Sequence, residues 1–358
     1  MAPQPRVVRS AGVAAVARKA APWDITPPDF LAGLETAREL VARLVGGDAN
    51  GVFVAPSVSY AMTTAAAVLP LDRGQRVLVL DDQFPSNVYP WRAAAARHGA
   101  EVVTVPRPPD DDWTAALLEC IDPLTGVVAV PQCHWMDGSR VDLQALRAAT
   151  RAVGATVAVD ATQSLGAVPF DVATLQPDMV VAAAYKWLLG PTSLAFCWVA
   201  PEWRDGGPID GYWLSRKGSE DFARLSEYPE AFQPGARRYD MGGSYNFVLL
   251  PMANAAMELV LGWGVERIHA TITGHTDYLA AALCDLGVTA VRRPQRFGHL
   301  MGVRLPPGTA RAVAERLAVA GVYASVRGTT LRLSPHVYND AEDLARFLDA
   351  LSEALHRS

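Results

Sequence analysis

The 358-residue chain is poor in cysteine: Cys120, Cys133, Cys197 and Cys284 are its only four, widely spaced and without a CxxC pair. This spacing argues against a disulfide framework or a cysteine zinc site and suits a reducing cytosol, so a cytoplasmic location is expected. Long runs of Lys and Arg are missing too; 32 basic and 37 acidic residues leave a net charge of −5 and a pI near 5.8. Without a basic stripe to neutralise phosphates, no nucleic-acid partner is expected. No GxGxxG follows any candidate strand, which argues against a dehydrogenase of nucleotide-binding fold. The opening stretch MAPQPRVVRSAGVAAVARKAAPW is interrupted by Arg18 and Lys19, so no secretory signal is expected. The apolar run from Met179 to Pro201, MVVAAAYKWLLGPTSLAFCWVAP, has one charged residue, Lys186, and a Gly190-Pro191 break. Neither suits a membrane-spanning helix.

Half of the residues are hydrophobic and the mean hydropathy is +0.11, enough for a sizeable core. Short β-branched runs alternate with helical-period segments: GVFVAP before SYAMTTAAAVL, RVLVLD before NVYPWRAAAARHG, EVVTVP before WTAALLECI, and VVAVPQ before DLQALRAATRAVG. ATVAVD then leads to MVVAAAYK. This order predicts an α/β fold with a mostly parallel sheet covered on both faces. After PGARRYDMGGSYNFVLLP the pattern changes to a long helix, short strands near VTAVRR, HLMGVRL, VYASV and TLRLS, and helices at 308–320 and 340–354. A smaller α+β unit is expected there. The organisation read from these shifts is an N-terminal segment 1–30, a large domain 31–258 and a small domain 259–358.

In open α/β sheets, ligands sit beyond the carboxyl ends of the strands. Asp160 closes ATVAVD and Lys186 closes MVVAAAYK, so an acid and an amine are expected to face one crevice. By themselves the two could equally form a structural ion pair. VVAVPQCHWMDG, VAVDATQSLGAVPFD and AAAYKWLLGP, in this order and with Lys186 standing 26 residues after Asp160, narrow the choice. They resemble the class V, fold-type I family of pyridoxal-phosphate enzymes, in the branch of isopenicillin-N-epimerase-like proteins and cysteine-conjugate lyases. The resemblance runs from about residue 25 to the C-terminus.

The resemblance implies pyridoxal 5'-phosphate as cofactor, the fold-type I architecture and a homodimer. Lys186 would form the Schiff base; an apolar setting disfavours its charged form and leaves a nucleophilic amine. Asp160 would hold the pyridine nitrogen protonated, and Gln163 would hydrogen-bond the phenolic oxygen. In VFVAPSVSYAMTT a strand, a turn and a helix start bring Ser57, Ser59 and the Tyr60 amide to where a phosphate would bind, though serine there also serves as a plain helix cap. Tyr185 could reach the phosphate or simply pack. Phe84, in DDQFPSNVYPW, takes the place of the aromatic that lies over the ring, or is a core residue. Ser244, in YDMGGSYNF, matches the segment that crosses a dimer interface to the partner's cofactor phosphate. His134 stands beside the expected cofactor and could touch the phenolic oxygen, act as an acid, or simply be a packed or solvated residue. The other histidines show no metal-ligand spacing.

Arg332, in TTLRLSPHVYND, matches the arginine that binds a substrate α-carboxylate bidentately. An α-amino acid with a free carboxylate is the expected substrate. Cysteine desulfurases of the family carry a nucleophilic cysteine on the preceding loop; AGVYASVRGTT has none, so desulfurase chemistry is not expected. Among the remaining outcomes, Cβ–S cleavage of an S-substituted cysteine leads, with epimerisation, transamination and decarboxylation-coupled deamination as alternatives.

Overall fold

The computed structural model of the chain describes residues 2–356. Seven strands form the large sheet: β1 (Val52–Ala55), β2 (Arg76–Leu80), β3 (Glu101–Val105), β4 (Thr125–Pro131), β5 (Thr156–Asp160), β6 (Met179–Ala183) and β7 (Ala195–Val199). Their order is β1-β7-β6-β5-β4-β2-β3, and β7 runs antiparallel to both of its neighbours. The pairs from β6 to β3 are all parallel. β4, β5 and β6 are buried along their whole length, which is why they read as continuous apolar runs.

Alternate strand residues feed two cores. Val52, Val54, Leu78, Leu80, Val128 and Val130 enter one, while Phe53, Ala55, Val77, Val79, Val127 and Ala129 enter the other. This period-two division follows from the pleat. The covering helices are α1 (Arg6–Lys19), α2 (Asp29–Val45), α3 (Val58–Val68), α4 (Tyr89–His98), α5 (Trp113–Cys120), α6 (Leu143–Val153), α7 (Val172–Leu175) and α8 (Leu249–Trp263). Trp91 of α4 and Met62 of α3 fill one face; Leu146 of α6 and Val41 of α2 fill the other. Local signals agree with these boundaries: Asp142 caps α6 through Gln144 and Ala145, and Gly154 ends it at φ 74°.

The apolar run that resembled a membrane span is two strands, β6 and β7, joined by the loop that carries Lys186. No helix among the described residues is long and apolar enough to cross a membrane.

A second, antiparallel sheet contains β8 (Thr289–Ala290), β9 (Met301–Arg304), β10 (Ser325–Arg327) and β11 (Thr330–Leu333), in the order β10-β11-β9-β8. α9 (Val265–Asp285), α10 (Ala310–Val319) and α11 (Ala341–His356) share a separate core with it, including Leu283, Val313, Leu331 and Leu351. The two sheets meet at the turn after β4. Gly302 of β9 donates its N–H to the carbonyl of Asp137 at 2.8 Å. Gly138 sits at φ 81°, and a Cβ there would lie 2.2 Å from the carbonyl oxygen of Leu300. Only glycine allows that approach.

Candidate active site

A cavity of about 310 Å³ opens beyond the carboxyl ends of β4, β5 and β6. The chain brings Ser57, Phe84, Asp160, Gln163, Tyr185, Lys186 and Arg332 to its walls. Lys186 stands three residues past β6 rather than at its end, in a turn where the Gly190 N–H bonds the Ala184 carbonyl at 2.8 Å. Among the described residues its amine has no ion pair or hydrogen bond; the nearest aromatic face is Tyr185, with Nζ 5.5 Å from the ring centroid. Burial lowers its pKa to about 8, helped by the positive charges of Arg332 and Arg327 and opposed by Asp160.

Asp160 ends β5 and is 7% exposed. Its Oδ1 accepts the Thr162 N–H at 2.9 Å, and no cation lies within ion-pair distance among the described residues. Burial raises its pKa, against the Thr162 hydrogen bonds and the charge of Lys186. Gln163 Oε1 accepts from Trp187 Nε1 at 3.2 Å, which fixes the amide and leaves its Nε2 hydrogens for another partner. At the far wall Ser57 caps α3, its Oγ accepting from the Tyr60 N–H at 3.2 Å and lying 2.9 Å from Ser59 Oγ. Phe84 is 42% exposed, its ring edge-on to Trp135 at 5.4 Å.

Four expected positions do not face the cavity. His134 is fully buried; its ring stacks on Trp113 at 5.3 Å, Nε2 bonds the Asp81 carbonyl at 3.2 Å and Nδ1 accepts from the Met136 N–H at 3.4 Å. Both nitrogens are engaged in the turn, and the ring does not line the cavity. Ser244 is also fully buried, its hydroxyl bonded to the Tyr212 hydroxyl at 3.2 Å within its own chain. The Tyr60 N–H is taken by Ser57 and its hydroxyl points to Asp210 at 3.3 Å. Ser59 is exposed and off the cavity wall.

Trp135, Cys133 and Arg327 line the cavity and were not singled out as site residues from the sequence. The pleat gives the signal for the first two: Pro131, Cys133 and Trp135 continue β4's inward alternation, while Gln132 and His134 turn away. The hairpin register gives the third. Arg327 pairs with Thr330 and Ser325 with Arg332, so both arginines share one face. Arg332 is 7% exposed and has no carboxylate partner among the described residues; its Nη1 donates to the Trp135 carbonyl at 2.7 Å and its Nε is unpartnered. Arg327 lies over the Trp135 ring at 5.1 Å. A buried guanidinium without a counter-charge is costly, and it marks a place for an anion.

The profile of the family Aminotransferase class-V matches residues 28–347. The chain belongs to that family. It is 29% identical to isopenicillin N epimerase of Streptomyces clavuligerus over 346 residues, 91% of this chain and 86% of that protein. It is equally 29% identical to the uncharacterized aminotransferase YcbU of Bacillus subtilis, over 90% of this chain and 84% of that one. A kynureninase of Salinispora tropica is 26% identical over 87% of this chain and 77% of its own length. Two solved structures share the fold: the cystine C–S lyase C-DES, with a TM-score of 0.88 at 20% identity, covering 98% of this chain and 94% of that one, and the cysteine desulfurase CsdA of Escherichia coli, with a TM-score of 0.84 at 20% identity, covering 99% and 92%.

This class-V protein is a pyridoxal-phosphate enzyme with the fold-type I architecture, in a family that takes amino acids as small-molecule substrates. Its cavity fits the cofactor chemically. An unpaired buried carboxylate suits a pyridinium N–H, an amine of lowered pKa suits an aldehyde, and a capped helix N-terminus suits a phosphate.

Proposed function

We propose that this enzyme cleaves the Cβ–S bond of an S-substituted cysteine, releasing a thiol, pyruvate and ammonium with uptake of one water. The reading rests on one observation: β10 and β11 turn through only Gly328 and Thr329, with Arg327 and Arg332 on the hairpin and no cysteine. A sulfur-accepting thiolate has no loop to ride on. Cys133 is the one cysteine on the cavity wall among the described residues, and burial pushes its thiol well above the ordinary range, so it stays protonated. With no acceptor, the leaving sulfur departs as a thiolate and takes its proton from solvent.

When bound, the cofactor supplies an electron sink that makes the Cα proton acidic. In this reading Lys186 would hold the cofactor aldehyde and move the Cα proton at Nζ. Asp160 would keep the ring nitrogen protonated, and Gln163 would donate to the phenolic oxygen. Ser57 and the first turn of α3 would hold the phosphate, with Tyr185 and Phe84 on the same cavity wall. Arg332 takes the substrate α-carboxylate and Arg327 strengthens the anion field. Burial lowers the Lys186 pKa to about 8, which suits its amine to take up and return a proton. We further place the enzyme in the cytoplasm as a homodimer, with small-molecule substrates.

The test is incubation of the holoenzyme with an S-alkyl-cysteine, with and without a 2-keto acid. Thiol and pyruvate formed without keto acid are the expected result. Strict dependence on the keto acid would replace the lyase with an aminotransferase, and recovery of the other enantiomer alone would replace it with an epimerase.

A further inference from the structure

Beside Lys186 lies a second, smaller chamber of about 70 Å³, bordered by Gln163, Arg332, Ser334, His336 and Tyr338. It shares Gln163, Lys186 and Arg332 with the main cavity. His336 is 3% exposed, and neither of its ring nitrogens has a hydrogen-bond partner among the described residues. The other buried histidines differ. His134 has both nitrogens engaged, and His299 Nε2 bonds the Gln163 carbonyl. Both His336 nitrogens are therefore open to water, so the ring can take a proton on one and release one from the other.

The ring is held in place by stacking. Trp187 lies 5.6 Å from it at 20°, and Tyr338 lies 5.3 Å away on a 15° plane. Trp187 follows Lys186 directly, whereas Tyr338 is 55% exposed. The stack thus runs from the residue after Lys186 to the surface. Burial lowers the His336 pKa to about 4, so the ring is neutral at physiological pH. The chamber has room for a few waters, each needing about 10–15 Å³ of such volume, and its walls offer them hydroxyls and charges.

We propose that His336 is a positioning residue for proton traffic, relaying the proton that Lys186 takes from Cα to solvent through water in this chamber. The proposal rests on the assignment of that proton to Lys186. A water protonated by the Lys186 ammonium donates to one nitrogen of His336, and the opposite N–H passes its proton to a second water toward Tyr338. The imidazole changes tautomer, no net charge remains on it, and one proton has moved outward.

The holoenzyme, its His336→Phe variant and its His336→Asn variant test this. Phenylalanine keeps the stack without nitrogens; asparagine keeps polarity if the aromatic variant folds poorly. Each is reduced with borohydride, and the cofactor adduct is mapped by mass spectrometry. Each is then given an amino acid deuterated at Cα, and loss of label to water is compared with product formation. In the variants, label washout relative to turnover should fall by about tenfold or more, with KM unchanged. Nitrogen-15 NMR of histidine-labelled holoenzyme should show averaged tautomers for His336. An adduct on Lys186 with unchanged washout, a raised KM alone, or a single locked tautomer overturns the relay. An adduct on another lysine overturns the assignment beneath it, and the relay with it.

Discussion

Arg332 of β11 donates from Nη1 to the main-chain carbonyl of Trp135 at 2.7 Å, so the small sheet fastens its buried cation to the turn that ends β4. That bond aims a guanidinium with no carboxylate of its own at the cavity. Arg332→Ala should weaken α-carboxylate substrates by about 2–5 kcal/mol, roughly 30-fold to several thousand-fold in kcat/KM. Arg332→Lys should restore only part of this, because a point charge cannot bond two oxygens side by side. Steady-state kinetics on the three proteins checks it, and an unchanged KM in Arg332→Ala would remove the residue from substrate binding.

Lys186 sets a pH signature in the cofactor-free protein. Its folded pKa is lowered to about 8 by burial and by two arginines, against about 10.4 in an unfolded chain. Below pH 8 both states hold the proton, and the buried charge costs the fold the full penalty. Between about pH 8 and 10 the unfolded state binds one proton more, so stability rises with pH. Urea titration should show apo wild type gaining up to about 3 kcal/mol relative to Lys186→Met across that window. Parallel curves for the two proteins would mean that the amine is solvated.

Cys133 borders the cavity with a thiol that burial keeps protonated. Cys133→Ala should hold kcat/KM for S-alkyl-cysteine within about threefold, since a protonated thiol is neither nucleophile nor acceptor. Abolished turnover, together with a persulfide on Cys133 found by mass spectrometry of the wild type, would restore sulfur transfer as the reaction.

His134→Phe preserves the stack on Trp113 and deletes the bonds to Asp81 and Met136. The expected cost is about 1–3 kcal/mol of stability, as for buried polar groups stripped of a partner. Turnover at a temperature where the variant is folded should stay near the wild-type value. A large fall in kcat with unchanged denaturation midpoint would return His134 to the chemistry.

Much of this is legible in the sequence. The unbroken apolar runs at β4, β5 and β6 announce strands buried on both faces, and Asp160 falls at the strand end where an acid was expected. The strand expected to end on Lys186 stops three residues earlier, because MVVAAAYK has no turn residue until Gly190 to mark its end; the chain turns through Leu189 at φ 58° and Ser193 at φ 64°. His134 misled because a polar residue in an apolar context reads as functional, whereas the pleat aims it away from the cavity and Trp135 into it. Ser244 and Tyr60 show a different limit. Their partners, Tyr212 and Asp210, lie 32 and 150 positions away along the chain, and no local pattern reveals such pairings.

Asp160 ends a strand of the large sheet and Lys186 stands on the loop leaving the next one, while Arg327 and Arg332 stand on a hairpin belonging to another core. Reactivity and selectivity can therefore drift apart in evolution. Lengthening the two-residue bend between Arg327 and Arg332 would re-tool what the lysine meets without touching the strands that set its chemistry.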